Sequence, residues 1–362
     1  MTEEEQLNAI RQRIDRIDEQ LQALINERAA AAREVARIKQ AGGGEPLYYR
    51  PEREAQVLRR IKERNQGPLD AEEMARIFRE IMSACLALEQ PLRVAFLGPE
   101  GTFTQAAALK HFGHSVHTEP FGTISDIFQE VETGNCQYGV VPVENSTEGV
   151  ISHTLDMFMT ASPLKICGEV MLRIHHNLLS NASGLESVGR VYAHQQSLAQ
   201  CRGWLDRHLP GAERIAVGSN AEAARLAADQ SSAAAIGSET AAEIYGLAVL
   251  AANIEDEPGN TTRFLIIGDH QVPPSGDDKT SLLLSTRNEA GGLVRLLEPL
   301  ADHGVSMTRI ESRPSRQGVW DYVFFVDVLG HREDPAVAQA LQDLEARARL
   351  YRWLGSYPRA VL

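Results

Sequence analysis

The sequence of 362 residues has few cysteines, no long apolar run and little positive charge, and each shortage excludes a class of protein. The four cysteines are scattered and form no CxxC pair, so we expect buried thiols in a reducing cytosol. No apolar run approaches the roughly 18 residues of a membrane helix. The acidic start, MTEEEQ, has no apolar stretch behind it, which argues against a signal peptide. We therefore expect a cytoplasmic protein that does not engage a membrane.

Positive charge is scarcest in the middle of the chain. The formal net charge of −13 argues against a nucleic-acid partner. Residues 91–279 carry 11 Lys or Arg against 22 Asp or Glu, so an anionic ligand there needs donors placed close to it. The only adjacent histidine pair, His175 and His176, has no neighbours that complete a metal site. We expect neither a metal nor another cofactor.

Apolar residues at alternating spacings of three and four predict one long N-terminal helix. They are Leu7, Ile10, Ile14, Ile17, Leu21, Leu24, Ala31, Val35 and Ile38. Such a helix is about 50 Å long and cannot bury its apolar face within a small domain, so a second copy of the chain should cover it. Two more helices are predicted over 51–64 and 70–90. The inward residues of the latter are Met74, Phe78, Ile81, Cys85 and Leu88.

Arg28 lies in this apolar face where leucine would be expected, and Lys39 follows three turns later on the same side. Glu89 shares the inner face of the third helix. A buried cation is costly unless an anion meets it. Two interpretations stay open. Arg28 either pairs with Glu89 or another core acid or extends to solvent, or the bundle sequesters it in a cavity for an anionic ligand.

From residue 93 onward, short apolar runs alternate with helical stretches and predict an α/β domain with a largely parallel sheet. The runs span 94–97, 138–143, 191–194, 233–236 and 264–267. The length permits two lobes with a cleft between them. After a linker at 268–280, the order strand, helix, strand, strand, helix, strand predicts a ferredoxin-like module.

Four polar clusters lie at strand ends of the α/β domain, where ligands of such sheets bind. They are GPEGTFTQ, VENSTEG, AHQQSLAQC and NTTRFLIIG. The first opens a helix near Thr102, whose amides could bind a carboxylate or could form only a turn and cap. In the last, Thr262 and Arg263 precede a strand. A hydroxyl beside an arginine could protonate a leaving group while the cation holds a carboxylate.

These motifs, with ESRP at 311–314, closely resemble the bifunctional chorismate mutase/prephenate dehydratase (P-protein) family over almost the whole chain. The resemblance implies an all-α helical chorismate mutase domain over 1–91. A two-lobed α/β dehydratase domain, like a periplasmic binding protein, would follow over 92–270, and a ferredoxin-like βαββαβ ACT domain over 279–357. It implies an enzyme of phenylalanine biosynthesis that turns chorismate into prephenate, and prephenate into phenylpyruvate. L-phenylalanine would be the feedback effector, and the chain a homodimer or larger assembly.

The mutase rearrangement needs no nucleophile, only a cavity that compresses a dianion and stabilises the breaking ether oxygen. Arg28 and Lys39 on one helix face suit this demand. The resemblance adds the substrate-binding residues Arg11, which would enter the partner chain's cavity, Arg53, Glu54, Cys85 and Glu89. Glu89 would face the ether oxygen, so activity should fall as pH rises through its pKa, because only the protonated acid donates. The family often has aspartate where this chain has Arg50.

For the dehydratase, the resemblance implies that Thr262 donates the proton and that Arg263 orients it or binds a carboxylate. The other residues expected in the cleft are Thr102, Glu144, Asn145, Ser146, Thr147, Gln200 and Phe264. The third family motif often begins with serine, where this chain has Ala193.

The resemblance places the phenylalanine site of the ACT domain at Gly291, Gly292, Leu293, Glu311, Ser312, Arg313 and Pro314. Alternatively, this module only supports dimerisation. Two other functions stay open: a dehydratase that prefers arogenate, and a non-catalytic, amino-acid-sensing binding protein. Arg28 in the first helix and the Thr262–Arg263 pair argue against the binding protein.

Overall fold

A computed structural model describes residues 2–41, 47–147, 149–160, 162–315 and 322–361. The N-terminal domain has the three predicted helices, α1 (Glu3–Ala41), α2 (Pro51–Arg64) and α3 (Ala71–Ala87). Asp70 caps α3 by accepting a hydrogen bond from the amide of Glu73 at 2.7 Å. The third helix ends three residues earlier than predicted, and Leu88 just beyond it is exposed, not inward.

Helix α1 leaves its apolar face open to solvent within one chain. Of its 39 residues only Ala36 is buried, and Ile10 and Leu24 expose more than half of their surface. Arg28 is exposed too, so the interpretation that the bundle of a single chain sequesters it is wrong. The reason is that no element of the same described chain covers this stretch of α1. None of the described helices is both long enough and apolar enough to span a bilayer.

The middle of the chain folds into two α/β lobes. The elements of the first lobe are β1 (Arg93–Leu97), α4 (Phe103–Phe112), β2 (His117–Phe121), α5 (Ile124–Glu132), β3 (Tyr138–Asn145), β4 (Gly149–Val150), α6 (Ser152–Met159) and β5 (Lys165–Arg173). Those of the second are β6 (Asn177–Ser180), β7 (Arg190–His194), α7 (Gln195–Gln200), α8 (Arg202–His208), β8 (Glu213–Val217), α9 (Asn220–Ala228), β9 (Ala233–Gly237), α10 (Glu239–Tyr245) and β10 (Ala248–Ala251). Strand β11 (Thr261–Gly268) then returns to the first lobe.

Both lobe sheets are mixed, so the prediction of a largely parallel sheet is wrong. The first has the order β2-β1-β3-β11-β5 with β4 beside β3, and the second β10-β6-β9-β7-β8. Strands β1, β2 and β3 are parallel, whereas β11 runs antiparallel to both β3 and β5. The chain crosses between the lobes after β5 and again after β10, and the returning strand β11 enters its sheet in the opposite direction.

The C-terminal module has the predicted βαββαβ order. Its elements are β12 (Asp278–Ser285), α11 (Gly292–Asp302), β13 (Met307–Pro314), β14 (Tyr322–Leu329), α12 (Pro335–Arg347) and β15 (Leu350–Pro358). They form an antiparallel sheet of order β13-β14-β12-β15. Leu283, Phe325 and Tyr357 from this sheet share one apolar core with Val143 and Leu265 of the first lobe. The module therefore packs directly on the outer face of the lobe that carries β11.

Candidate active sites

A cleft of about 370 Å³ lies between the two lobes. Its size suits a small organic molecule. Five of the residues predicted for the cleft line it together: Thr102, Asn145, Gln200, Thr262 and Phe264. Thr102 also caps α4, and its hydroxyl donates to the carbonyl of Leu97 at 2.9 Å. The cap and the cleft roles of this residue, separate alternatives in the sequence, therefore coexist.

Asn145 and Thr262 form the centre of the cleft. They are opposite each other on β3 and β11, and Asn145 Nδ2 donates to Thr262 Oγ1 at 2.8 Å. The side-chain orientation of Asn145 is fixed by its oxygen, because Oδ1 accepts a hydrogen bond from the backbone N–H of Thr147 at 2.9 Å. Thr262 is buried. Because its oxygen already accepts a hydrogen bond, its own proton can be donated to a group in the cleft.

Lys39, in the last turn of α1, and Glu89, just after α3, approach each other in the N-terminal domain. Lys39 Nζ lies 4.0 Å from Glu89 Oε2 and donates to the carbonyl of Leu47 at 3.1 Å. Glu89 Oε2 is buried and has no hydrogen-bond partner among the described residues. Burial raises the pKa of Glu89, and the charges of Lys39 and Arg28 only partly offset this. The raised pKa extends the pH range over which this carboxyl is protonated and able to donate.

Glu54 lies close to the same group of charges. Burial raises its pKa, partly offset by Arg79 and then by Arg28. Arg11 and Arg53 are exposed in the single chain, and Cys85 is a buried free thiol. The chain also departs from the family pattern at Arg50, whose Nε lies 2.5 Å from Glu52 Oε1 in a local ion pair.

Three family models match consecutive parts of the chain. They are chorismate mutase type II over 10–90, prephenate dehydratase over 94–272 and the ACT domain over 280–346. Two relatives match over 366 residues and 100% of both chains. The bifunctional chorismate mutase/prephenate dehydratase of Stutzerimonas stutzeri is 57% identical, and that of Pseudomonas aeruginosa is 55% identical.

The chain belongs to the bifunctional chorismate mutase/prephenate dehydratase family. It is thus an enzyme with a mutase, a dehydratase and an ACT domain, which sets aside the non-catalytic binding protein. The solved prephenate dehydratase of Arthrobacter aurescens, in complex with L-Phe, is 35% identical with a TM-score of 0.68. The match covers 74% of this chain and 90% of that one. The exact domain boundaries stay predictions.

Arg263 does not belong to the dehydratase cleft, and the prediction that it orients Thr262 or binds substrate carboxylate there is wrong. Successive side chains of a strand point to opposite faces. Arg263 therefore faces the ACT domain, where Nη1 lies 2.5 Å from Asp327 Oδ2 and Nη2 donates to Tyr357 Oη at 2.9 Å. Its Nε lies 2.8 Å from Glu169 Oε2. Both residues also lie within β11, not before it.

Glu144, Ser146 and Thr147 are likewise wrong predictions for the cleft lining. Glu144 shares the outward face of Arg263, and its Oε2 lies 3.0 Å from Arg309 Nε of the ACT domain. Ser146 and Thr147 are exposed beyond the strand end. Ser146 Oγ accepts from the Thr261 amide at 2.9 Å and so ties β3 to β11. Glu148 lies outside the described residues.

His176 is a cleft residue that the sequence analysis missed. It is buried, and its Nε2 lies 2.7 Å from Gln200 Oε1. Burial lowers the pKa of His176, so the ring is neutral near pH 7. The adjacent histidine pair is visible in the sequence, but such a pair by itself indicates only metal binding. His175 instead pairs with Glu255 at 2.9 Å, and the described residues contain no group that could hold a metal ion.

The residues predicted for the phenylalanine site lie on two elements of the ACT domain. Gly291 has φ 75°, a left-handed conformation, immediately before α11. A Cβ on Gly292 would lie 2.7 Å from the Arg287 carbonyl, which explains why glycine stands there. Glu311, Ser312, Arg313 and Pro314 lie on the edge strand β13, and Arg313 Nη2 donates to Asp156 Oδ1 of the dehydratase domain at 2.6 Å.

Proposed function

We propose that the interlobe cleft binds prephenate and that Thr262 protonates the hydroxyl that leaves its ring. The bond to the ring carboxylate breaks and carbon dioxide departs. The electron pair of that bond completes the aromatic ring as the carbon–oxygen bond breaks, and the protonated hydroxyl leaves as water. The hydrogen bond from Asn145 to Thr262 is the main support for this proposal. Because Thr262 Oγ1 accepts that hydrogen bond, the hydroxyl proton is free to be donated to the substrate.

The mutase site is proposed at the group formed by Arg28, Lys39, Glu54 and Glu89. The two cations would bind the carboxylates of chorismate, and protonated Glu89 would donate to the breaking ether oxygen. Arg11 of a second chain would complete this site. The open apolar face of α1 supports a homodimer, since a second copy is the partner that carries the same complementary face.

The ACT domain is proposed to bind L-phenylalanine and to inhibit the dehydratase step. Support comes from the Arthrobacter aurescens relative, which was solved with L-Phe, and from the start of α11, where Gly291 provides no side-chain cap. Arg309 contacts Glu144, and Arg263 contacts Asp327, across the boundary between the ACT and dehydratase domains. These contacts could transmit the inhibition from the ACT domain to the cleft. We also propose that the enzyme is cytoplasmic.

One coupled assay tests this function. The full chain is given chorismate, and chorismate, prephenate and phenylpyruvate are followed together with and without L-phenylalanine. We expect chorismate to disappear and phenylpyruvate to form, with L-phenylalanine slowing the second step and leaving prephenate behind. Formation of phenylpyruvate that L-phenylalanine does not slow would contradict the regulatory part alone.

A further inference from the structure

Arg79 links the proposed mutase site to the dehydratase domain. It lies on α3, and only 8% of its side chain is exposed. Its Nε lies 3.0 Å from Glu54 Oε1 on α2. Its Nη1 donates to the carbonyl of Lys110 at 3.1 Å and also to the carbonyl of His111. One guanidinium thus joins a carboxylate of the first domain to a helix end of the second.

The last turn of α4 is a firm anchor for this cation. The final carbonyls of a helix lack partners within it, and the helix dipole is negative at that end. Arg79 satisfies two of these carbonyls in a buried position. Tyr49 from the N-terminal domain contacts the same turn, with its Oη 3.0 Å from His111 Nε2. The position of Arg79 is therefore set from the dehydratase side.

Arg79 holds Glu54 directly, with Nε 3.0 Å from Oε1, and the charge of Arg28 acts on Glu54 less strongly than that of Arg79. A buried carboxylate that lost Arg79 would need another cation, because an unpaired buried charge is costly. Among the described residues, Arg28 is the other cation whose charge acts on Glu54. Once paired with Glu54, Arg28 could no longer bind a substrate carboxylate.

We infer that Arg79 is a positioning residue of the mutase reaction, which holds Glu54 away from Arg28 so that Arg28 stays available for chorismate. The inference rests on the proposed mutase site. According to this inference, helix α4 of the dehydratase domain helps to position the mutase site by anchoring Arg79. A positioning role acts on substrate binding, so its loss should raise KM for chorismate more than it lowers kcat.

The test uses Arg79→Met in the full chain with chorismate as substrate. We expect mutase kcat/KM to fall about 10- to 100-fold, the scale of one lost charged hydrogen bond, mainly through KM. Arg79→Lys should lose less, because it keeps the charge but not the forked geometry. Dehydratase kcat on prephenate should stay within about twofold in both variants. The dehydratase kcat shows whether each variant is folded. If Arg79→Met loses dehydratase activity, the mutase kinetics of Arg79→Lys are used for the test instead.

A double-mutant cycle with Glu54→Gln isolates the mechanism. In that background Arg79→Met should cost less than about twofold, because the neutral amide no longer competes for Arg28. Arg59→Met is the matched control. Arg59 also crosses the domain boundary, with Nη1 donating to the Ser275 carbonyl at 3.1 Å and Nη2 to the Asp277 carbonyl at 2.7 Å. Its loss should leave mutase kcat/KM unchanged.

Three results would overturn the inference. They are an unchanged mutase KM in Arg79→Met, losses that multiply independently in the double variant, and an equal loss in Arg59→Met. The last would mean that the domain boundary is merely loosened. If Glu54→Gln alone left mutase kcat/KM unchanged, the proposed place of Glu54 in the site would fail together with the inference. The mutase and dehydratase activities themselves would still stand.

Discussion

Thr262 and Arg263 are consecutive in β11, and their side chains leave opposite faces of the sheet. Thr262 accepts a hydrogen bond from Asn145 in the cleft, whereas Arg263 is buried against Asp327 and Tyr357 of the ACT domain. One strand therefore carries the proposed proton donor on one side and a buried charge network with the ACT domain on the other. Arg263 joins β11 to the ACT domain and is adjacent to Thr262. A movement of the ACT sheet relative to the first lobe would therefore act on β11 next to the proposed proton donor.

Arg263→Met should therefore weaken regulation and stability more than catalysis. Asp327 and Tyr357 would lose their buried cation, at a cost of about 3–5 kcal/mol in the free energy of unfolding. At a temperature where the variant stays folded, we expect dehydratase kcat within about tenfold of the parent, since Arg263 does not face the cleft. The concentration of L-phenylalanine that halves the rate should rise. Denaturant unfolding and dehydratase assays with L-phenylalanine measure all three quantities.

Arg352→Met is the matched comparison, because Arg352 crosses the same boundary, with Nη1 donating to the Phe158 carbonyl of α6 at 2.9 Å, and belongs to none of the proposed sites. It should keep dehydratase kcat unchanged. A loss of kcat above about a thousandfold in Arg263→Met, the scale expected for a lost proton donor, would return Arg263 to the chemistry of the cleft.

Elements that depend on local periodicity, such as helices, could be predicted from the sequence. The orientation of side chains and strands that depends on distant partners could not. The helix over Pro51–Arg64 was predicted to the residue, because spacing and a favourable proline mark it. The faces of Glu144 and Arg263 were missed, since the partners that define those faces, Arg309 and Asp327, lie far along the chain. The direction of β11 was missed for the same reason: a strand does not encode which neighbour it will pair with.

The mutase pH profile should reflect protonated Glu89. Burial raises the pKa of this carboxyl above the value of about 4.3 for an exposed glutamate. The protonated form donates, so mutase activity is full below that raised pKa and falls as pH rises through it. Glu89→Gln should flatten the profile, because an amide donates at every pH. Glu80→Gln, which removes the charge from the exposed pair between Glu80 of α3 and His114, should keep the parent's profile. A flat profile in the parent would remove Glu89 from this role.

The apolar face of α1 should be a subunit interface. Ile14→Asp with Leu21→Asp places charges on a face where both residues are now about half exposed. We expect the assembly to dissociate and mutase kcat/KM to fall by at least about tenfold, because Arg11 of the second chain would be lost. Sedimentation mass and chorismate turnover measure this. Gln12→Asp, on the opposite side of the helix, is the control. Full mutase activity in a dissociated double variant would show that each chain holds a complete site.

The most direct measurement gives chorismate to the Thr262→Val variant of the full chain and follows prephenate and phenylpyruvate. We expect chorismate to be consumed at the parent's rate and prephenate to accumulate, with dehydratase kcat lower by about 100- to 10,000-fold. Thr262→Ser should keep substantial activity. Thr261→Val, whose hydroxyl in the parent donates to the Gly259 carbonyl at 3.2 Å, should behave like the parent. Phenylpyruvate formed by Thr262→Val at the parent's rate would contradict the proposed proton donor.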